Sequence, residues 1–227
     1  MNKTLYSSIG FLLLLTTLLA ALIITNHKAY SDNFSYPKVH KISWNNNEVQ
    51  QLNNDETIHI SITGNNDFKQ SFKNAIKQWN NLKIIKLKLV SSGSDTSIVL
   101  HGNESKQEDC NYKTNNQKKI LGYTNNTSND YKIHGTIFNV IVSSNVHLMN
   151  YISKWPIKQK TRIALHELGH ALGFGDDVNP NDQLLIMYGA SNKYNCNKTM
   201  ISNSEIMTLK SHYYKYLRYI QKNPSII

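Results

Sequence analysis

The strongest constraint in this chain is local: the string His166-Glu167-Leu168-Gly169-His170, followed by Ala171-Leu172-Gly173-Phe174-Gly175-Asp176. Two histidines four residues apart converge on one ion only if the segment is helical, because positions i and i+4 share a helix face. Neutral imidazole is a good zinc ligand. Glu167, next to the first histidine, can aim its carboxylate at a water held by that ion and act as general base. Gly173 lets the chain leave the helix through a left-handed conformation. Asp176 can then double back as third ligand, with one position left open for water, as a catalytic zinc site requires. Phe174 packs under the turn. Asp177 is the alternative third ligand, one residue further on. Glu205, on a later helix, is another.

The whole string resembles the metzincin zinc endopeptidases, whose consensus is H-E-x-x-H-x-x-G-x-x-H/D. With Asp176 at the last position it is similar to the snapalysin-like branch. Ile186-Met187-Tyr188-Gly189 resembles the matrixin form of the family's Met-turn. The resemblance implies that Met187 forms an apolar floor under the metal and that Tyr188 and Gly189 line the substrate side-chain pocket. It also implies an α+β domain: a twisted, mostly parallel sheet of about five strands, two long helices, and a C-terminal helix after the Met-turn. A peptide substrate would pair by backbone with an edge strand at Leu121-Gly122-Tyr123. The chain departs from the family in two respects. No cysteine precedes Cys110, so the matrixin pro-segment thiol is missing. The position of the astacin tyrosine ligand holds Gly189.

The elements needed for such a domain can be read along the chain. Val39–Trp44, Thr57–Thr63, Ile84–Val90 and Ser97–His101 alternate like strands, and Thr136–Ser143 is rich in β-branched residues. Phe68, Phe72, Ala75, Ile76 and Trp79 recur at helical spacing, with an N-cap on offer in residues 64–67. Ile120–Tyr123 reads as a short edge strand, and Asn125–Lys132 as a polar loop. Pro156 suits a helix start, giving a helix over 156–173. The last helix is expected over Ser204–Tyr219. Asp176–Asp182 is rich in oxygen ligands, which makes calcium a secondary candidate beside zinc, but the spacing is not that of an EF-hand.

Two further features bear on location. Ile9–Ile24 is apolar, follows Lys3, and precedes Ala29-Tyr30-Ser31, which reads as a secretory signal cut after Ser31. An uncleaved N-terminal anchor is the rival, and would be the chain's only membrane contact. Residues 1–31 are thus signal or anchor, and 32–227 one catalytic domain, secreted or at the cell surface. In an exported chain Cys110 and Cys196 form a candidate disulfide, which would contribute about 4 kcal/mol in the chain-entropy model; two free thiols are the alternative. The formal charge is +10, but every basic residue except Arg162 and Arg218 is lysine, and the lysines are scattered. Nucleic-acid readers favour arginine, so nucleic acid is excluded as a partner. The expected partner is an extended peptide or protein, and the expected state a monomer. A non-catalytic zinc-binding module at the cell surface is the alternative function. Glu167 argues against it, since a structural site has no use for a base.

Overall fold

The structure is a computed structural model. It divides into two units, Met1–Val39 and His40–Ile227. The residues it describes are 42–45, 48–93, 95–104, 120–133, 135–179, 184–189 and 200–221, all in the second unit. The N-terminal apolar run, Cys110 and Cys196 lie outside them. No helix among the described residues is long and apolar enough to cross a membrane.

The fold is α+β. Its strands are β1 (Glu48–Gln50), β2 (Ile58–Thr63), β3 (Leu87–Leu89), β4 (Ile98–Glu104), β5 (Gly122–Ile133) and β6 (Thr136–Met149). Its helices are α1 (Asn66–Asn81), α2 (Ile157–Ala171) and α3 (Asn203–Gln221). The sheet runs β1-β6-β4-β2-β3, and every one of those pairings is parallel. β5 is antiparallel and pairs with β6, from Gly122 opposite Leu148 to Ile133 opposite Thr136. Ile58, Ile60, Ile98, Leu100, Val146 and Leu148 are fully buried at alternate strand positions, which is what a sheet face under helices demands.

α1 starts where Asn65 accepts the Phe68 amide at 3.1 Å, satisfying one of the helix's orphan donors. Its stripe of Phe68, Phe72, Ala75, Ile76 and Trp79 is buried. Trp79 also ties α1 to α2, its Nε1 donating to the Leu165 carbonyl at 3.3 Å. α2 begins directly after Pro156, whose carbonyl accepts from Gln159 and Lys160. α3 opens on a capping box: Ser202 Oγ accepts the Glu205 amide, and Glu205 Oε2 accepts the Ser202 amide at 2.7 Å.

Several elements differ from the sequence expectation. Among the described residues the sheet has six strands, close to the number expected, and one of them, the three-residue β1, carries no readable alternation. Asn125–Lys132 is not a loop: it continues β5, which extends far past Tyr123 as one arm of a hairpin with β6. One side of that arm meets water and the other a polar network, so no apolar alternation marks it. β6 likewise runs on from Ser143 to Met149. The strand expected over Ile84–Val90 shortens to Leu87–Leu89, since Lys83 takes a positive φ of 55° and Ile84 and Ile85 bend into the core. Asn80 then docks on Leu87, pairing with both its N–H and its carbonyl. Of Val39–Trp44 the described part holds only an isolated bridge, Trp44 with Phe174.

Candidate metal centre

One turn of α2 separates His166 from His170, so the two rings lie on one face, edge to face, with centroids 4.6 Å apart. Each ring is fixed from behind. His166 Nδ1 lies 2.8 Å from the Ile186 carbonyl, and His170 Nδ1 lies 2.9 Å from the Phe174 carbonyl. A carbonyl can only accept, so Nδ1 is a donor in both rings, and each Nε2 presents a lone pair whenever its ring is neutral.

The two Nε2 atoms lie 3.1 Å apart. Asp176 Oδ1 completes a triangle, 3.3 Å from His166 Nε2 and 3.5 Å from His170 Nε2. Three such atoms this close are held together by a proton or by a metal ion among them. A tetrahedral zinc with bonds of about 2.0–2.1 Å spaces its ligand atoms about 3.3–3.4 Å apart. The observed triangle matches that spacing, and these three residues could hold a metal ion. The site is open on one side: the Asp176 side chain is 53% exposed, the histidines 14% and 19%.

The charges are coupled. Burial pulls the His170 imidazole down, but its hydrogen bond to Asp176 and the charge of Glu167 outweigh it and hold it at about 9. Hydrogen bonds from His166 and His170 keep the Asp176 carboxyl well below the usual range, against its partial burial. Burial raises the nearby Glu48 carboxyl, opposed by Asn126 and Asn45.

The turn that delivers Asp176 is built from backbone. Gly173 sits at φ 106°, and a Cβ there would stand 2.4 Å from the Glu48 carbonyl, so conformation and space both demand glycine. Phe174 is fully buried against Trp44 and Trp79. Asp177, the alternative ligand, is buried and faces the loop, where Oδ1 accepts the Asn179 amide at 2.8 Å. Glu205 is also occupied elsewhere: besides the capping box, its Oε1 accepts the Met187 amide at 2.8 Å.

Met187 is fully buried and packs on α2 at Gly169. Tyr188 is nearly buried and bridges to Asp177. At Gly189 a Cβ would come within 2.6 Å of the Asp176 carboxylate, so this glycine makes room for that side chain. Leu121 packs against the core, and its carbonyl accepts the Met149 amide. Gly122 faces Glu167. Tyr123 turns to the opposite face and stacks on His147, with centroids 4.3 Å apart.

Sequence reasoning missed a set of supporting residues. Asn126 Nδ2 donates to the His170 carbonyl at 3.0 Å, and Ser144 Oγ lies 2.8 Å from Asn126 Oδ1. Tyr213 Oη donates to the Leu172 carbonyl at 3.1 Å and accepts the Gln50 amide at 3.0 Å. Asn126 and Tyr213 thereby occupy carbonyls at the end of α2, which helix geometry leaves without internal partners.

No family model matches the chain, and no curated protein matches it. Among solved structures the chain is similar to that of myroilysin, at 15% identity over 78% of this chain and 88% of that one, with a TM-score of 0.41. The functional reading therefore rests on the geometry of the site.

Proposed function

We propose that this chain is an exported zinc-dependent endopeptidase of metzincin type. The observation that carries the reading is the triangle of His166 Nε2, His170 Nε2 and Asp176 Oδ1, open to solvent, with Glu167 next to its first ligand on the same helix. Zinc bound there would polarise a peptide carbonyl and make water acidic near neutral pH.

The protein's own residues supply the rest. An extended peptide pairs with the edge of β5 beside Gly122. Glu167 accepts a proton from the attacking water as the new C–O bond forms. It returns that proton to the amide nitrogen as the C–N bond breaks. Met187 and the turn around Gly173 keep the ligands in place. Residues 32–227 form the catalytic unit in this account, and residues 1–31 are its secretory signal or anchor. N-terminal sequencing of protein from the culture medium tests that boundary; recovery of an intact Met1 only from membranes would replace secretion by anchoring.

The test of the activity is metal content by mass spectrometry, followed by cleavage of casein by the native protein and by Glu167→Gln. One zinc per chain and a loss of about 10²- to 10⁴-fold in the variant are expected. Zinc bound without Glu167-dependent cleavage would make the domain a binding module instead.

A further inference from the structure

The inward face of β5 grips the residue assigned as general base. Gly122, Thr124 and Asn126 alternate along the strand on the side that meets α2. A Cβ at Gly122 would stand 2.8 Å from the His147 carbonyl oxygen and 2.9 Å from both Cγ and Oε1 of Glu167, so the missing side chain leaves room for the neighbouring strand and for this carboxyl. Two residues on, Thr124 Oγ1 is 2.9 Å from Glu167 Oε2 and also 2.9 Å from the Glu167 carbonyl. Asn126 then holds the His170 carbonyl one helical turn later.

We propose that Thr124 is a positioning residue for the hydrolytic reaction: its hydroxyl fixes the Glu167 carboxylate in one rotamer, with Oε2 on the strand. The inference rests on the peptidase reading above. Three observations support it. A glutamate side chain has three rotatable bonds, and among the described residues Thr124 is the side chain that hydrogen-bonds this carboxylate. The hydroxyl's one proton is shared between the carboxylate and the carbonyl of the same residue, so it references the carboxylate to the helix that carries both histidines. The threonine methyl cannot make either contact, so the role belongs to the hydroxyl. A base displaced by about 1 Å can cost on the order of 10²-fold in rate.

The test uses the full-length, zinc-loaded protein and compares Thr124→Val, Thr124→Ser and Glu167→Gln with the native chain. The readouts are kcat and KM on a fluorogenic peptide, zinc affinity by competition with a chromophoric chelator, and melting temperature. Thr124→Val is expected to lower kcat by about 10- to 100-fold with KM and zinc affinity within about twofold of native. Thr124→Ser, which keeps the hydroxyl, is expected to recover most of kcat. A native kcat in Thr124→Val would overturn the proposal. So would a fall in zinc affinity parallel to the fall in kcat, which would make Thr124 a structural support of α2. Should Thr124→Val not fold, Thr124→Ser decides alone, because a loss there as deep as in Glu167→Gln removes the hydroxyl from the account. Native protein that shows no Glu167-dependent cleavage would refute the peptidase reading itself, and this one with it.

Discussion

The sulfur of Met187 occupies the space where a side chain on Gly169 would begin: a Cβ there would stand 2.2 Å from Sδ. The glycine within the histidine motif and the methionine of the later turn are therefore one packing unit. Gly169→Ala would gain about 1 kcal/mol of helix propensity. The overlap with a fully buried side chain costs about 1–3 kcal/mol and wins. Urea denaturation is expected to show a net loss of stability; an equal or higher midpoint would contradict the packing.

Glu205 joins the start of α3 to the same turn, accepting from the Met187 amide, the Ser202 amide and the Ser202 hydroxyl while fully buried. Removing it leaves two backbone donors without partners, at about 1–3 kcal/mol each. Glu205→Ala should lower stability by about 2–5 kcal/mol. Glu205→Gln, which keeps one acceptor oxygen, should lose less. Equal losses in the two variants would mean that the carboxyl's hydrogen bonds are not what matters.

Asp176 and Asp177 should behave differently. Asp176→Ala removes an atom of the triangle and is expected to weaken zinc binding beyond the about 10- to 100-fold typical of losing a group one step removed from a metal. Asp177→Ala breaks the loop bond to Asn179 and should change melting temperature more than zinc affinity. Titration of both variants against a chelator of known affinity measures this, and a reversed order would move the third ligand to Asp177.

The metal-free and zinc-loaded forms should diverge with pH. His170, raised from 6.5 to about 9, contributes stability that is full below pH 6.5 and is lost as pH rises through about 9. Asp176, depressed, contributes above its ordinary value of 3.8 and loses that contribution only in stronger acid. The metal-free protein should therefore weaken between pH 6.5 and 9. Zinc needs deprotonated imidazoles, so its stabilising effect grows over the same interval. Calorimetric melts with chelator and with zinc should show the gap in melting temperature widening; a constant gap would contradict the coupled triangle.

The convergence of His166, His170 and Asp176 was legible because each position is fixed by local spacing. Helical periodicity aligns His166 with His170, and Gly173 turns the chain so that Asp176 returns. The burial of α1 was legible for the same reason, in the stripe from Phe68 to Trp79. The supports were not. Thr124 meets Glu167 across 43 residues, Asn126 meets His170 across 44, and Tyr213 meets Leu172 across 41. Such pairs come from strand pairing and helix docking, which no local pattern encodes. β5 was hidden for a related reason: polar neighbours on one side and water on the other remove the apolar alternation by which strands are read. The capping box Ser202-x-x-Glu205 has a sequence signature that the expected start at Ser204 passed over, and the second task of Glu205 at Met187 has none.

The most direct test of the account is anomalous diffraction at the zinc edge from crystals of the protein grown with zinc. A single strong peak about 2.0–2.2 Å from His166 Nε2, His170 Nε2 and an Asp176 oxygen is predicted. An ordered site with no peak between the two imidazoles, and Asp176 turned out to solvent, would contradict it.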